Sequence, residues 1–87
     1  MIATIPHRTF KKKFKKLKRS EQQAVEERLL LFVVYPFAPI LNNHAPHGKY
    51  MGKGSINITG DLRLIFEMIT ENIAYLIDVD THPKLYT

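Results

Sequence analysis

Two runs of alternating apolar and polar residues, Ser55-Ile56-Asn57-Ile58-Thr59 and Leu62-Arg63-Leu64-Ile65-Phe66-Glu67-Met68, meet at the pair Gly60-Asp61. Alternation on both sides of a Gly-Asp turn is the pattern of a hairpin of two half-buried strands. Strand periodicity then points Asp61 and Arg63 to one face, while Leu62, Leu64 and Phe66 take the other. A carboxylate and a guanidinium on one face form either a plain ion pair or the centre of a site.

A chain of 87 residues is one small domain, 1–87. Such a chain buries roughly 60% of its unfolded surface and depends on good packing of a single core. It has no cysteine, which excludes disulfides and thiolate metal sites. The longest apolar run, Leu29 to Tyr35, is far too short to span a bilayer. The basic N-terminus has no apolar segment or cleavage site after it, so no signal peptide is expected and a cytoplasmic address follows by default.

Charge is unevenly spread. Residues 1–19 hold eight Lys or Arg and no acid, whereas the remaining 68 hold five basic and eight acidic side chains. This asymmetry suggests a polyanion at one end of the molecule, with nucleic acid first in line. From Thr9, a candidate N-cap, Phe10, Phe14 and Leu17 recur at helical spacing and leave lysine elsewhere. Lysine stems covering a core are one reading of that helix. However, Lys11 with Lys15 and Lys12 with Lys16 repel at i,i+4 with no nearby acid. That favours a phosphate-binding face built from Lys11, Lys12, Lys13, Lys15, Lys16, Lys18 and Arg19.

Before this helix, Met1 to Ile5 reads as an edge strand ended by Pro6, and His7 has no visible partner. After it, Ser20 and Gln23 form a capping-box pattern for a second helix with the stripe Val25, Leu29, Phe32, Val33, stopped by Pro36. Pro36 to Gly54 shows no sustained period, and so long a connection in so small a domain is more often functional than idle. Lys49 and Lys53 add basic groups to it, with Tyr50 as an aromatic. Ile73 to Val79 is nearly all apolar and reads as a central strand buried on both faces. The expected architecture is α+β: an N-terminal strand, a helical hairpin packed on one sheet face, then an antiparallel three-stranded meander.

Four segments at this spacing resemble the RelE/ParE toxin superfamily of bacterial toxin–antitoxin pairs, and within it the YafQ-like messenger-RNA-cleaving branch. They are Phe10-Lys11-Lys12-Lys13-Phe14-Lys15-Lys16-Leu17, His44-Ala45-Pro46-His47-Gly48, Ile58 to Phe66, and Thr81-His82-Pro83-Lys84-Leu85-Tyr86. The resemblance covers nearly the whole chain. It implies a small RelE-like fold and a metal-free endoribonuclease acting on the ribosome. It also implies a monomeric toxin neutralised by a cognate antitoxin, with no cofactor and no membrane. By the same resemblance the site draws on His44, Asp61, His82 and Tyr86, with Arg63 matching an arginine of relatives nearer RelE. The chain departs from the pattern at Asn57, where a second histidine would fall, and at Gly54, Leu62 and Pro46.

Metal-free RNA cleavage needs a base for the 2′-OH proton, an acid for the 5′-oxygen and a cation for the phosphate. The expected roles are His82 as acid, His44 or Asp61 as base, Arg63 as phosphate clamp and Tyr86 against the nucleotide. Each has a plainer alternative: His82 as mere tail, Asp61 as a turn residue, Arg63 paired with Glu67, Asp61 or Asp78, and Tyr86 as a packing anchor. His44 and His47 are spaced like zinc ligands, but no cysteine or third ligand lies near them, so no metal is expected. Two other functions compete: a non-hydrolytic, ParE-like inhibitor of DNA gyrase, and a catalytically weakened relative that binds RNA or antitoxin. His44, Asp61 and His82 weigh against the first, and Asn57 and Gly54 motivate the second.

Overall fold

The computed structural model describes residues 1–85. Its elements are β1 (Ala3–Pro6), α1 (Arg8–Lys16), α2 (Arg19–Val34), β2 (Gly54–Thr59), β3 (Leu62–Thr70), β4 (Ile73–Thr81) and the single turn α3 (His82–Leu85). The strands form one sheet in the order β1-β4-β3-β2, with β1 parallel to β4 and the other pairs antiparallel. The expected strand, helical hairpin and meander are all present, and β1 lies at an edge.

One sheet face meets the helices. Ile56, Ile58, Leu62, Leu64, Phe66, Ala74, Leu76 and Val79 pack with Phe10, Val25, Phe32 and Leu41. Full burial of each Leu, Ile or Phe contributes roughly 1.5–3 kcal/mol, which makes this layer the main source of stability. The helical stripes serve it, with Phe14, Leu17, Leu29 and Val33 packed around the buried members. Phe32 meets Phe66 edge-on at 4.8 Å between ring centroids.

β1 accompanies β4 only from Ile73 to Leu76. There the backbone N–H of His7 donates to the Leu76 carbonyl at 2.8 Å, and the chain turns into α1, which packs on β4. His7 therefore has a role that its sequence neighbours hid. It is the N-cap of α1, its Nδ1 accepting from the Thr9 N–H at 3.1 Å, so the helix starts one residue before Thr9 rather than after it. The second helix likewise starts early. Lys18 is its N-cap and the Glu21 carboxylate accepts from the Lys18 N–H at 3.0 Å, which displaces the expected Ser20–Gln23 box.

Two further expectations are corrected. β4 is central but not buried on both faces: Ala74, Leu76 and Val79 are buried, whereas Ile73, Tyr75 and Ile77 are half-buried. On the outer face, enclosure follows the row Ser55–Ile65–Asp78, whose three residues are all buried. The segment from Pro36 to Gly54 is not structureless. It holds 3-10 turns at Pro39–Leu41 and Gly48–Tyr50, buries Leu41 and Pro46, and pairs His44 with Ser55 along the edge of β2.

Candidate functional site

The β2–β3 hairpin closes through Thr59 and Leu62, with Gly60 at φ +45° taking the left-handed conformation that the tight turn requires. A bulge at Ile58 re-aims the end of β2, and the Arg28 Nε caps the Ile58 carbonyl at 3.0 Å. The C-terminal end of β4 runs alongside, so the His82 N–H donates to the Asp61 carbonyl at 2.7 Å. Asp61 and His82 are thereby fixed as neighbours with exposed side chains. Arg63 completes the group: its Nη1 donates to the Gly60 carbonyl at 2.6 Å and to that of Leu62 at 3.2 Å, folding the guanidinium toward the turn.

Arg63 is not an ion-pair residue. Among the described residues no carboxylate lies within salt-bridge distance of it: Glu67 pairs with Lys53 at 3.4 Å, while Asp78 and Asp80 are held by Lys13. Arg63 stands in a polar row across the outer face, Asn57–Arg63–Asp80. The Asn57 Oδ1 in that row is buried without a partner among the described residues. Unpaired buried acceptors are rare in folded proteins, and each calls for a reason such as a catalytic role or a bound water or ion.

His44 stands apart. Its ladder row is Ser55, Ile65 and Asp78, two strand spacings across and two residues along from Arg63, or about 12 Å between backbones. Its Nδ1 lies 2.7 Å from the Asn42 carbonyl, an acceptor only, so this nitrogen is the donor of that bond. Tyr86 lies outside the described residues. His47 is exposed, and among the described residues no three His, Cys, Asp or Glu side chains gather in a way that could hold a metal ion.

The sequence reading missed the cluster beside this row. Asp78 is buried, its Oδ2 accepting from the Tyr50 hydroxyl and its Oδ1 from the Val79 N–H at 2.8 Å. Lys13 Nζ lies 2.9 Å from Asp78 Oδ1 and 3.4 Å from Asp80 Oδ2. Burial pulls the Lys13 ammonium toward neutrality, but the hydrogen bonds and charges of Asp78 and then Asp80 outweigh it, holding the pKa above the usual 10.5. One signal was available: an aspartate inside an apolar strand, since carboxylates are almost never buried unless paired.

The basic groups divide accordingly. Lys11, Lys12, Lys15, Lys16, Lys18 and Arg19 are exposed, as a phosphate-binding face requires. Lys13 does not belong with them, because its ammonium is committed to two carboxylates. Lys53 is paired with Glu67, and Lys49 Nζ lies 5.2 Å from the centre of the Tyr50 ring. Lys16 and Lys84 line a cleft of 380 Å³ with Lys13, Glu21, Asp80 and Thr81, and so extend positive charge toward the His82 end.

No protein-family model and no curated protein matches the chain by sequence. Solved structures do match in shape. YafQ from E. coli strain BL21(DE3) superposes with a TM-score of 0.81 at 14% identity, over 100% of both chains. A metal-bound toxin from Helicobacter pylori gives 0.79 at 20% identity, over 99% of this chain and 100% of that one. A chain of the YoeB–YefM complex from Staphylococcus aureus gives 0.74 at 13% identity, over 94% and 98%. The architecture is that of the small α+β toxins. Within that class it is the RelE/YafQ-like toxin fold, as the four sequence segments lead one to expect.

Proposed function

We propose that this protein is the toxin of a toxin–antitoxin pair and a metal-independent endoribonuclease that cleaves messenger RNA on the ribosome. One observation carries the reading: in a RelE/YafQ-like fold, Asp61, Arg63 and His82 converge at one end of the sheet, and the guanidinium has no carboxylate partner among the described residues. A base removes the 2′-OH proton, the freed oxygen attacks the adjacent phosphorus, and the 5′-oxygen leaves with a proton from the acid. The products are a 2′,3′-cyclic phosphate and a 5′-hydroxyl. His82 is the acid and Arg63 holds the phosphate as negative charge builds on it. Asp61, beside His82, is better placed as base than His44 about 12 Å from Arg63. Tyr86, the last residue but one of the sequence, is the residue against the nucleotide. The exposed lysines of α1 grip ribosomal RNA without reading its sequence.

A cognate antitoxin is the expected partner, and the likeness to a chain of the YoeB–YefM complex supports it. The test is a translating extract supplied with the purified protein, with the 5′ ends of the messenger mapped. Cuts inside the coding sequence that depend on translation are expected. Intact messenger together with arrested DNA supercoiling by gyrase would overturn the proposal in favour of the ParE-like alternative.

A further inference from the structure

Arg63 and Asp80 sit directly opposite each other on β3 and β4, on the same sheet face. Residues so placed have Cβ atoms about 5 Å apart, and opposite charges there normally pair. They do not pair here. Asp80 Oδ2 is 3.4 Å from Lys13 Nζ and its Oδ1 accepts from the Thr81 N–H at 2.8 Å, while the Arg63 Nη1 is turned to the Gly60 and Leu62 carbonyls. Lys13 arrives from another element and is the one basic residue of α1 that bridges two carboxylates among the described residues. On the other side of Arg63, the buried Asn57 Oδ1 is also unpaired among the described residues.

We propose that Lys13 is a positioning residue: by holding Asp80, and Asp78 behind it, Lys13 stops Asp80 from capturing Arg63 and so keeps the guanidinium available to a phosphate. This rests on the reading of Arg63 as the phosphate-binding group given above. The device explains how a half-buried arginine persists opposite an aspartate without being neutralised. It also gives the lysine-rich helix a second duty, since only its inward-facing member contributes to the state of the site. Lys13 is anchored by Asp78, which Tyr50 also holds, so the loop that lies over the outer face and the basic helix meet at one carboxylate.

The test is a mutant cycle of Lys13→Met, Asp80→Asn and the double variant, with two readouts. The first is the Arg63 Nε–H resonance during titration with inorganic phosphate. The second is single-turnover cleavage of messenger RNA. Cross-strand ion pairs are modest, so capture by Asp80 lowers phosphate affinity and cleavage about two- to fivefold in Lys13→Met. The double variant returns both to the wild-type level, and Asp80→Asn alone changes little, because Lys13 already occupies that carboxylate. Lys13→Met leaves Asp78 buried without its cation, so the cycle is repeated in an Asp78→Asn background, where that charge is absent, with circular dichroism as the check on folding. An Arg63 resonance and phosphate affinity unmoved by Lys13→Met overturn the proposal. So does a loss that Asp80→Asn does not restore, which would make Lys13 a phosphate ligand in its own right. Capture and release of Arg63 seen by resonance, with no variant or wild type cleaving RNA, would keep the positioning role and remove the nuclease reading.

Discussion

Gly54→Ala should destabilise the protein by a large and calculable amount. Gly54 lies directly opposite Phe66 in the β2–β3 ladder, and the Phe66 ring lies across it. A Cβ at residue 54 would stand 2.3 Å from the ring Cζ and 2.7 Å from both Cε atoms, roughly 1 Å inside ordinary carbon contact. The ring is buried and packed edge-on against Phe32 at 4.8 Å, so it can yield only by turning toward the cleft that it lines with Ile2, Phe37 and His44. Overpacking of this kind costs about 1–3 kcal/mol, and the rigidity of the pair places the substitution at the upper end. For a domain of this size each kcal/mol moves Tm by about 4–8 °C, so a fall of about 10–20 °C is expected in thermal unfolding followed by circular dichroism. Phe66→Leu in the Gly54→Ala background should recover part of the loss, although Phe66→Leu alone is destabilising. A Tm within 2 °C of wild type, by about the same reckoning, would mean that the ring relaxes freely and would refute the packing reasoning.

Three other outcomes are expected. Tyr50→Phe removes a hydroxyl donor from the buried Asp78 carboxylate, a bond worth about 1.5–3 kcal/mol, and should lower Tm while making the segment around Gly48–Tyr50 more sensitive to proteolysis. Lys13 has its folded-state pKa raised above 10.5, so its stabilising effect is complete below that pH and disappears as pH rises through the folded value. Urea unfolding from pH 8 to about 12 should therefore show an alkaline loss in the wild type that is smaller in Lys13→Met. If about five phosphates are contacted by the exposed lysines of α1, log affinity for single-stranded RNA should fall with log salt at a slope of about −3.5, and Lys12→Gln should reduce its size by about 0.7.

The parts of this fold that were legible from sequence are those governed by local periodicity. The Ser55 to Met68 alternation specified the hairpin, and Phe10, Phe14 and Leu17 specified the buried side of α1, because period alone decides which side chains share a face. Helix starts were misplaced because His7 accepts from the Thr9 N–H and Glu21 from the Lys18 N–H, so each helix begins ahead of the residue that its sequence pattern offered as the cap. The parallel pairing of β1 with β4 joins residues 70 positions apart and leaves no local trace. For the site, Asp61, Arg63 and His82 could be set near one another from strand order alone. The commitment of Lys13 to Asp78 and Asp80 could not, since within its own helix Lys13 looks like its neighbours. His44 was set too close to the others because a loop of this length has no fixed direction until it folds back on β2.

The central claim is that the Asp61–Arg63–His82 end of the sheet cuts RNA. Single-turnover cleavage of a messenger in translating ribosomes, compared among wild type, Arg63→Ala and His82→Ala, tests it most directly. Loss of a positioned acid or of the phosphate cation should slow cleavage about 10²- to 10⁴-fold in each variant while Tm changes little, since the His82 side chain is exposed and the Arg63 bonds lie at the exposed turn. Wild-type rates in both variants would contradict the account.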